Sequence, residues 1–330
     1  MRAPRVWRTI CRIAWTATLS LLVGFLVACD ARSQAPLRLG FIAWPGHQPF
    51  ILARDLGFFG KEAIQIADYT STSQVLSALR SGTLDAAGTT MDEALLIAQD
   101  LPDIKLILIL DVSNGADAVI SKPEIASLAD LRGKRIGYEA SALGAYVLNR
   151  TLEHAKLRTE DVKLVSVRAD QHESVFREGG VDAIVTFEPT SSRLLASGAK
   201  VLFDSTKLPG EIMDVLVVRE PSLKASPERI NKLVSGWGKA LKYMNDNRDD
   251  ANKRLSAGLR LSPAELASAY AGIRLVDLEE NKKHFSSSPP ALLAPMRRLA
   301  DVMVAGKLLS RPAQVEALIE PGPVTRWKPE

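Results

Sequence analysis

From Leu37 onward, apolar and polar positions fall into short alternating runs separated by helical spacings. Leu37-Arg38-Leu39-Gly40-Phe41-Ile42-Ala43 reads as a strand, and Pro49 opens a helix carrying Phe50, Ala53 and Leu56 that Gly57 stops. Ile64 to Tyr69 gives a second strand, Ser73 to Arg80 a helix ending at Gly82, and Leu84 to Gly88 a third strand. Thr89 and Thr90 can cap a helix running through Leu95, Leu96 and Ile97, and Ile104 to Leu110 is a further buried strand. This alternation predicts an α/β fold with a mostly parallel sheet. From Ser226 the spacing turns helical. Ser226 serves as N-cap and Pro227 as first helical residue, followed by Trp237, Leu241 and Tyr243, then Leu266 to Ile273, then Leu292 to Val304. This tail predicts a helical layer packed on one lobe, without clear strands of its own.

The pattern occurs twice. Arg38-Leu39-Gly40-Phe41-Ile42-Ala43 matches Arg135-Ile136-Gly137-Tyr138-Glu139-Ala140, 97 residues on. Leu79-Arg80-Ser81-Gly82-Thr83-Leu84-Asp85-Ala86 matches Phe176-Arg177-Glu178-Gly179-Gly180-Val181-Asp182-Ala183 at the same offset. The second strand fits with a slip of one residue, Ile64 and Ile66 against Val162 and Leu164. Two lobes of one β-α-β-α-β plan follow, and their ligand loops should gather at the carboxyl ends of strands, beside helix N-termini.

The first residues have the parts of a secretory signal, residues 1–28: Arg2, Arg5, Arg8 and Arg12, then an apolar run from Ile13 to Ala28. Thr16, Thr18 and Ser20 interrupt that run, which is shorter than the ~20 residues of a spanning helix. Leu26-Val27-Ala28-Cys29 resembles the lipobox of bacterial lipoproteins, which implies cleavage before Cys29 and a thiol carrying diacylglycerol, with palmitate among its acyl chains. Asp30 resembles an inner-membrane retention signal, and residues 29–36 would be a lipid-anchored linker. Cys11 lies in the leader, so no disulfide or cysteine metal site is expected. The chain holds 42 basic against 38 acidic residues, and the four leader arginines account for that excess. The basic balance therefore gives no reason to expect nucleic acid as a partner.

Several stretches resemble one family, the periplasmic solute-binding proteins of nitrate, sulfonate and taurine ABC importers and the related pyrimidine-precursor binders. They are Trp44-Pro45-Gly46-His47-Gln48-Pro49 with Ala53-Arg54-Asp55-Leu56-Gly57-Phe58-Phe59, Leu128-Ala129-Asp130-Leu131-Arg132-Gly133-Lys134-Arg135-Ile136-Gly137, Val181-Asp182-Ala183 with Phe187-Glu188-Pro189, and Leu208-Pro209-Gly210-Glu211-Ile212. The resemblance implies a type II-like periplasmic-binding-protein fold: two doubly wound mixed sheets joined by a two-segment hinge, with a helical C-terminal layer, closing on a small molecule. The crossings would fall near Ser113-Asn114-Gly115 and Gly210 to Asp214. Residues 37–114 and 214–330 would then form lobe one, and 115–213 lobe two.

On that template the ligand candidates lie on loops. Trp44, His47 and Gln48 follow the first strand, where an indole face could stack on a ligand or simply close the lobe surface. Ser71, Thr72 and Ser73 precede the second helix, and Thr89, Thr90 and Asp92 begin the third; each set either binds ligand or caps its helix. Asn114 and Asp214 flank the crossings. In lobe two, Glu139 and Ser141 take the place of Ala43 and Trp44, and Phe187 and Glu188 end a strand. Glu139 and Glu188 need water, a basic side chain or a ligand donor if buried. No Arg or Lys stands in these loops, which argues against nitrate and leaves a sulfonate or an amine-bearing heterocycle open. His47 is the one histidine in a site loop; His154, His172 and His284 read as surface residues.

The resemblance implies a monomeric importer component delivering its solute to an ABC permease and ATPase complex, without cofactor or metal. A ligand-sensing partner of a membrane receptor would use the same cleft. A pyrimidine-synthase-like enzyme is disfavoured, because the cysteine-rich iron motif of that related branch is absent.

Overall fold

The computed structural model describes residues 35–60 and 63–328. The chain divides into Met1–Pro36 and Leu37–Glu330, and the elements described below lie in the second unit. The leader and Cys29 fall outside the described residues.

Lobe one begins β1 (Leu37–Ile42), α1 (Gln48–Asp55), β2 (Ile64–Tyr69), α2 (Thr72–Arg80), β3 (Ala86–Thr90), α3 (Met91–Ile97) and β4 (Ile104–Ser113). The chain then crosses to lobe two: β5 (Asp117–Ser121), β6 (Arg135–Tyr138), α4 (Ala142–Ala155), β7 (Lys163–Ser166), α5 (His172–Arg177), β8 (Ala183–Phe187), α6 (Thr190–Ala196) and β9 (Lys200–Asp204). It returns with β10 (Met213–Arg219), followed by α7 (Glu220–Ala225), α8 (Pro227–Asp246), α9 (Arg248–Leu259), α10 (Pro263–Ala271), β11 (Ile273–Leu275), α11 (Leu278–Ser286) and α12 (Leu293–Ala305). The third strand runs two residues later than the alternation suggested, because Leu84 and Asp85 form the turn that feeds it.

The two sheets have orders β11-β4-β10-β3-β1-β2 and β7-β6-β8-β5-β9. In each, three parallel strands are joined by one antiparallel strand that has come straight across the hinge: β10 against β3 in one, β5 against β8 in the other. The repeat is visible in register. Leu39 pairs with Ala86 and Gly40 with Ala87, while Ile136 pairs with Ala183 and Gly137 with Ile184. Arg38 faces Gln65, but Arg135 faces Lys163, one residue further, which is the slip expected from sequence. Each copy fastens its strand to the helix-strand turn by the same fork. Arg38 Nη2 and Nε donate to Asp85 at 2.9 and 2.8 Å, and Arg135 Nη2 and Nε donate to Asp182 at 2.7 and 3.2 Å.

Lobe one has a single large core around Leu39, Phe41, Phe50, Leu79, Leu108, Leu216 and Trp237. Trp237 is fully buried and donates through Nε1 to Val276 O at 3.0 Å, so the aromatic of the tail is packing. Sheet two is covered on both faces, by Val147, Leu148 and Leu152 of α4 on one and by Phe176 and Leu194 of α5 and α6 on the other. The tail departs from expectation in one respect. Ile273 belongs to a short strand, β11, which pairs with Val112 and its neighbours, because β4 is an edge whose backbone groups need partners. Further along β4, Asn281 Oδ1 accepts from Ile109 N–H and its amide donates to Ile109 O, and Glu320 N–H donates to Leu106 O.

At the crossings, Ser205 Oγ accepts the Gly115 N–H at 2.6 Å and lies 2.8 Å from Ser113 Oγ, which accepts from Asp117 N–H. Ser113 N–H donates to Ile212 O at 3.1 Å, which ties the two hinge segments to each other. Among the described residues no helix is long and apolar enough to cross a membrane.

Candidate functional site

The carboxyl ends of β1, β3 and β4 and the amino end of the antiparallel β10 in lobe one face the carboxyl ends of β6 and β8 in lobe two. Between them lies a small cavity of about 30 Å³ lined by Trp44, His47, Thr72, Thr90, Asp117, Leu143, Phe187 and Asp214 among others. A second chamber carries on past Phe187 to Glu139, Ser141 and His172, and Glu139 also borders an outer vestibule with Ser71, Ser73 and Arg168.

Sheet register explains how the lobe-one acids meet. Asp214 on β10 is flanked by Thr90 on β3 and Asp111 on β4, so the three residues stand side by side at one end of the sheet. Asp111 accepts from Trp44 Nε1 at 3.1 Å, and Trp44 meets Phe187 of lobe two edge-on, with ring centroids 6.0 Å apart. Trp44 therefore both closes the lobe and lines the cavity. The indole and carboxylate can approach only because Gly46 has no side chain: a Cβ there would lie 2.0 Å from Asp111 Oδ2. His47 is buried, with Nε2 3.1 Å from Asp214 Oδ2 but without the alignment of a hydrogen bond.

Seven carboxylates are buried here: Asp92, Glu93, Asp111, Asp117, Glu139, Glu188 and Asp214. No Lys or Arg is buried anywhere among the described residues. Asp92 Oδ2, Glu93 Oε2, Asp111 Oδ1, Glu139 Oε1 and Glu188 Oε2 have no hydrogen-bond partner within the protein, nor do Thr89 Oγ1 and Thr90 Oγ1. Burial without a cation raises Asp92, Glu93, Asp111, Asp117, Glu139 and Asp214. It pushes Asp92 up to about 6, Asp117 and Glu139 to about 7, and Glu93 and Asp214 to about 8. Asp111 is raised well above the usual carboxylate range, by burial and then by Asp214 beside it. Burial acts oppositely on His47 and His172 and pushes both down to about 4, so both imidazoles are neutral.

The remaining candidates divide by what they touch. Ser71 and Ser141 are N-caps, accepting from Gln74 N–H and Gly144 N–H, and each also borders the cleft. Thr90 makes no cap bond at α3, contrary to one of the two roles open to it. Glu188 accepts from Ser192 Oγ at 2.9 Å. Two candidates lie elsewhere. Gln48 is buried against Gly258 of α9, and Asn114 is exposed at the hinge, where its N–H donates to Gly272 O. His172 corrects the surface reading: it is buried, with Nδ1 3.1 Å from Thr186 Oγ1, because α5 turns its first residue inward beneath β8. Sequence reasoning missed Glu93, Asp111 and Asp117. The available signal was an acid set directly against a continuous apolar run, Leu106 to Leu110 for Asp111 and Ala118 to Ile120 for Asp117.

Two α/β lobes, two crossings and polar groups converging between strand ends define a periplasmic-binding-protein fold. The chain belongs to the NMT1/THI5 like family, which it matches over residues 44–251. It is 27% identical over 271 residues to the putative aliphatic sulfonates-binding protein of Escherichia coli K12, covering 80% of this chain and 83% of that one. It is 28% identical over 174 residues to a putative thiamine biosynthesis protein of Haemophilus influenzae, covering 50% and 54% respectively. In fold it is similar to the alkanesulfonate-binding protein of Xanthomonas axonopodis pv. citri bound to MOPS, with a TM-score of 0.75, 20% identity, and coverage of 88% of this chain and 100% of that one. The resemblance read from sequence is thus borne out at the level of family and fold. Among the described residues no group of three or more His, Cys, Asp or Glu is arranged to hold a metal ion.

Proposed function

We propose that the protein is the solute-binding component of an ABC importer, and that its solute is a small organic cation. An amine-bearing heterocycle of the pyrimidine-precursor kind fits that description better than a sulfonate. The observation that carries this reading is the set of seven buried carboxylates without a buried cation. A sulfonate would bring a negative charge among acids whose ionisation burial already disfavours, whereas an ammonium stabilises their charged form and supplies the donors that the orphaned oxygens lack. Trp44 and Phe187, one from each lobe and edge-on to each other, give the cavity an aromatic wall that suits a ring-bearing solute. The lipobox-like run ending at Cys29 supports a lipid-anchored, extracytoplasmic monomer, positioned to deliver its solute to a permease.

Thermal unfolding in the presence of a panel of amines, aminopyrimidines and alkanesulfonates tests this reading. A ligand that binds only the folded state raises the midpoint by mass action. Amine-bearing heterocycles should raise it and alkanesulfonates should not, and the gain should disappear in Asp214→Asn. A midpoint raised by alkanesulfonates alone would contradict the assignment.

A further inference from the structure

The two helices that open onto the cleft are capped in the same compound manner. At α2, Ser71 Oγ takes the N–H of Gln74, the third residue of the helix, while Glu139, which belongs to the opposite lobe, stands beside Ser71 and Ser73 at the first turn. At α4, Ser141 Oγ takes the N–H of Gly144, again the third residue, while the N–H of Leu143 donates to Glu93 Oε1 at 3.2 Å, and Glu93 also comes from the opposite lobe. Each lobe thus lends a glutamate to the helix N-terminus of the other. Both glutamates are buried, Glu93 at 0% and Glu139 at 6% exposure, and each keeps one oxygen without a protein partner.

Free N–H groups at the first turn of a helix are where an oxyanion docks, since the helix dipole and the donors favour the same charge. Here the protein's own carboxyl groups already stand at those first turns. We propose that Glu93 and Glu139 are specificity-determining residues. By occupying those first turns they keep oxyanion solutes, sulfonates above all, off the two helix termini of the cleft. The proposal rests on the reading of the cleft as a solute site, and it adds which residues make that site refuse one class of solute.

The test uses calorimetric titration of the wild-type chain and of Glu93→Ala, Glu139→Ala and the double variant, with methanesulfonate and an aminomethylpyrimidine as probes. Wild type should bind the amine and give no saturable heat with methanesulfonate. The double variant should gain methanesulfonate affinity by about tenfold or more over wild type, each single variant gaining less. If an alanine variant does not unfold cooperatively, Glu93→Ser and Glu139→Ser carry the same expectation. Folded variants that still refuse methanesulfonate, beside a wild type that binds the amine, overturn this proposal and leave the cationic reading standing. A wild type that itself binds methanesulfonate overturns both, and a wild type that binds neither probe removes the reading on which the proposal rests.

Discussion

A single methyl group decides whether the centre of the cleft can form. Gly46 passes so close to Asp111 and Trp44 that Gly46→Ala would force the indole away from the carboxylate. In a packed interior such an insertion costs about 1–3 kcal/mol, so urea unfolding of the variant should show that loss together with weakened solute binding. An unchanged midpoint would mean that the Trp44–Asp111 bond is not maintained. At this scale the sequence was informative where a polar residue stood on a predicted loop: Trp44, His47, Thr72, Thr90, Glu139, Ser141, Phe187 and Asp214 all border the cleft. It was uninformative for Asp111 and Asp117, which lie at strand ends. An acid after an apolar run reads as the point where a strand leaves the core, and only sheet register shows that it turns inward.

The elements are held by backbone pairing more than their number suggests. Asn281 bonds both the N–H and the C=O of Ile109, standing in for a strand at the edge that β11 is too short to cover. Asn281→Ala should leave two buried backbone groups unpaired, at about 1–3 kcal/mol each, and hydrogen exchange should localise the loss to β4. Protection retained at Ile109 would count against this account. The repeat was legible because it is written in paired residues: the Arg38–Asp85 and Arg135–Asp182 forks demand the same types 47 residues apart in both halves. The tail was read as helical because β11 has three residues, too few for any periodicity to register.

For the whole molecule, the buried acids make stability depend on pH in an unusual direction. Asp92, Glu93, Asp111, Asp117, Glu139 and Asp214 all hold their protons to higher pH in the folded chain than in the unfolded one. The folded state therefore binds more protons, and its advantage is complete below the ordinary carboxylate range and is lost as pH rises through about 6 to 8. His47 and His172, pushed down to about 4, contribute in the opposite sense, losing stability as pH falls from about 6.5 toward 4. Above that range their contribution is flat. Scanning calorimetry between about pH 6.5 and 8.5 should accordingly show a falling midpoint without solute, and a smaller fall with a bound cation that takes the place of the protons. A midpoint that stays flat or rises across this interval would contradict the retention of protons by these acids.

The most direct measurement is calorimetric titration at both ends of that interval with an amine-bearing heterocycle that keeps its charge throughout, set beside an alkanesulfonate. The amine should bind severalfold more tightly at the higher pH and release protons as it binds, while the alkanesulfonate should give no saturable heat. Saturable alkanesulfonate binding, or amine affinity that falls as the acids ionise, would contradict the cationic reading.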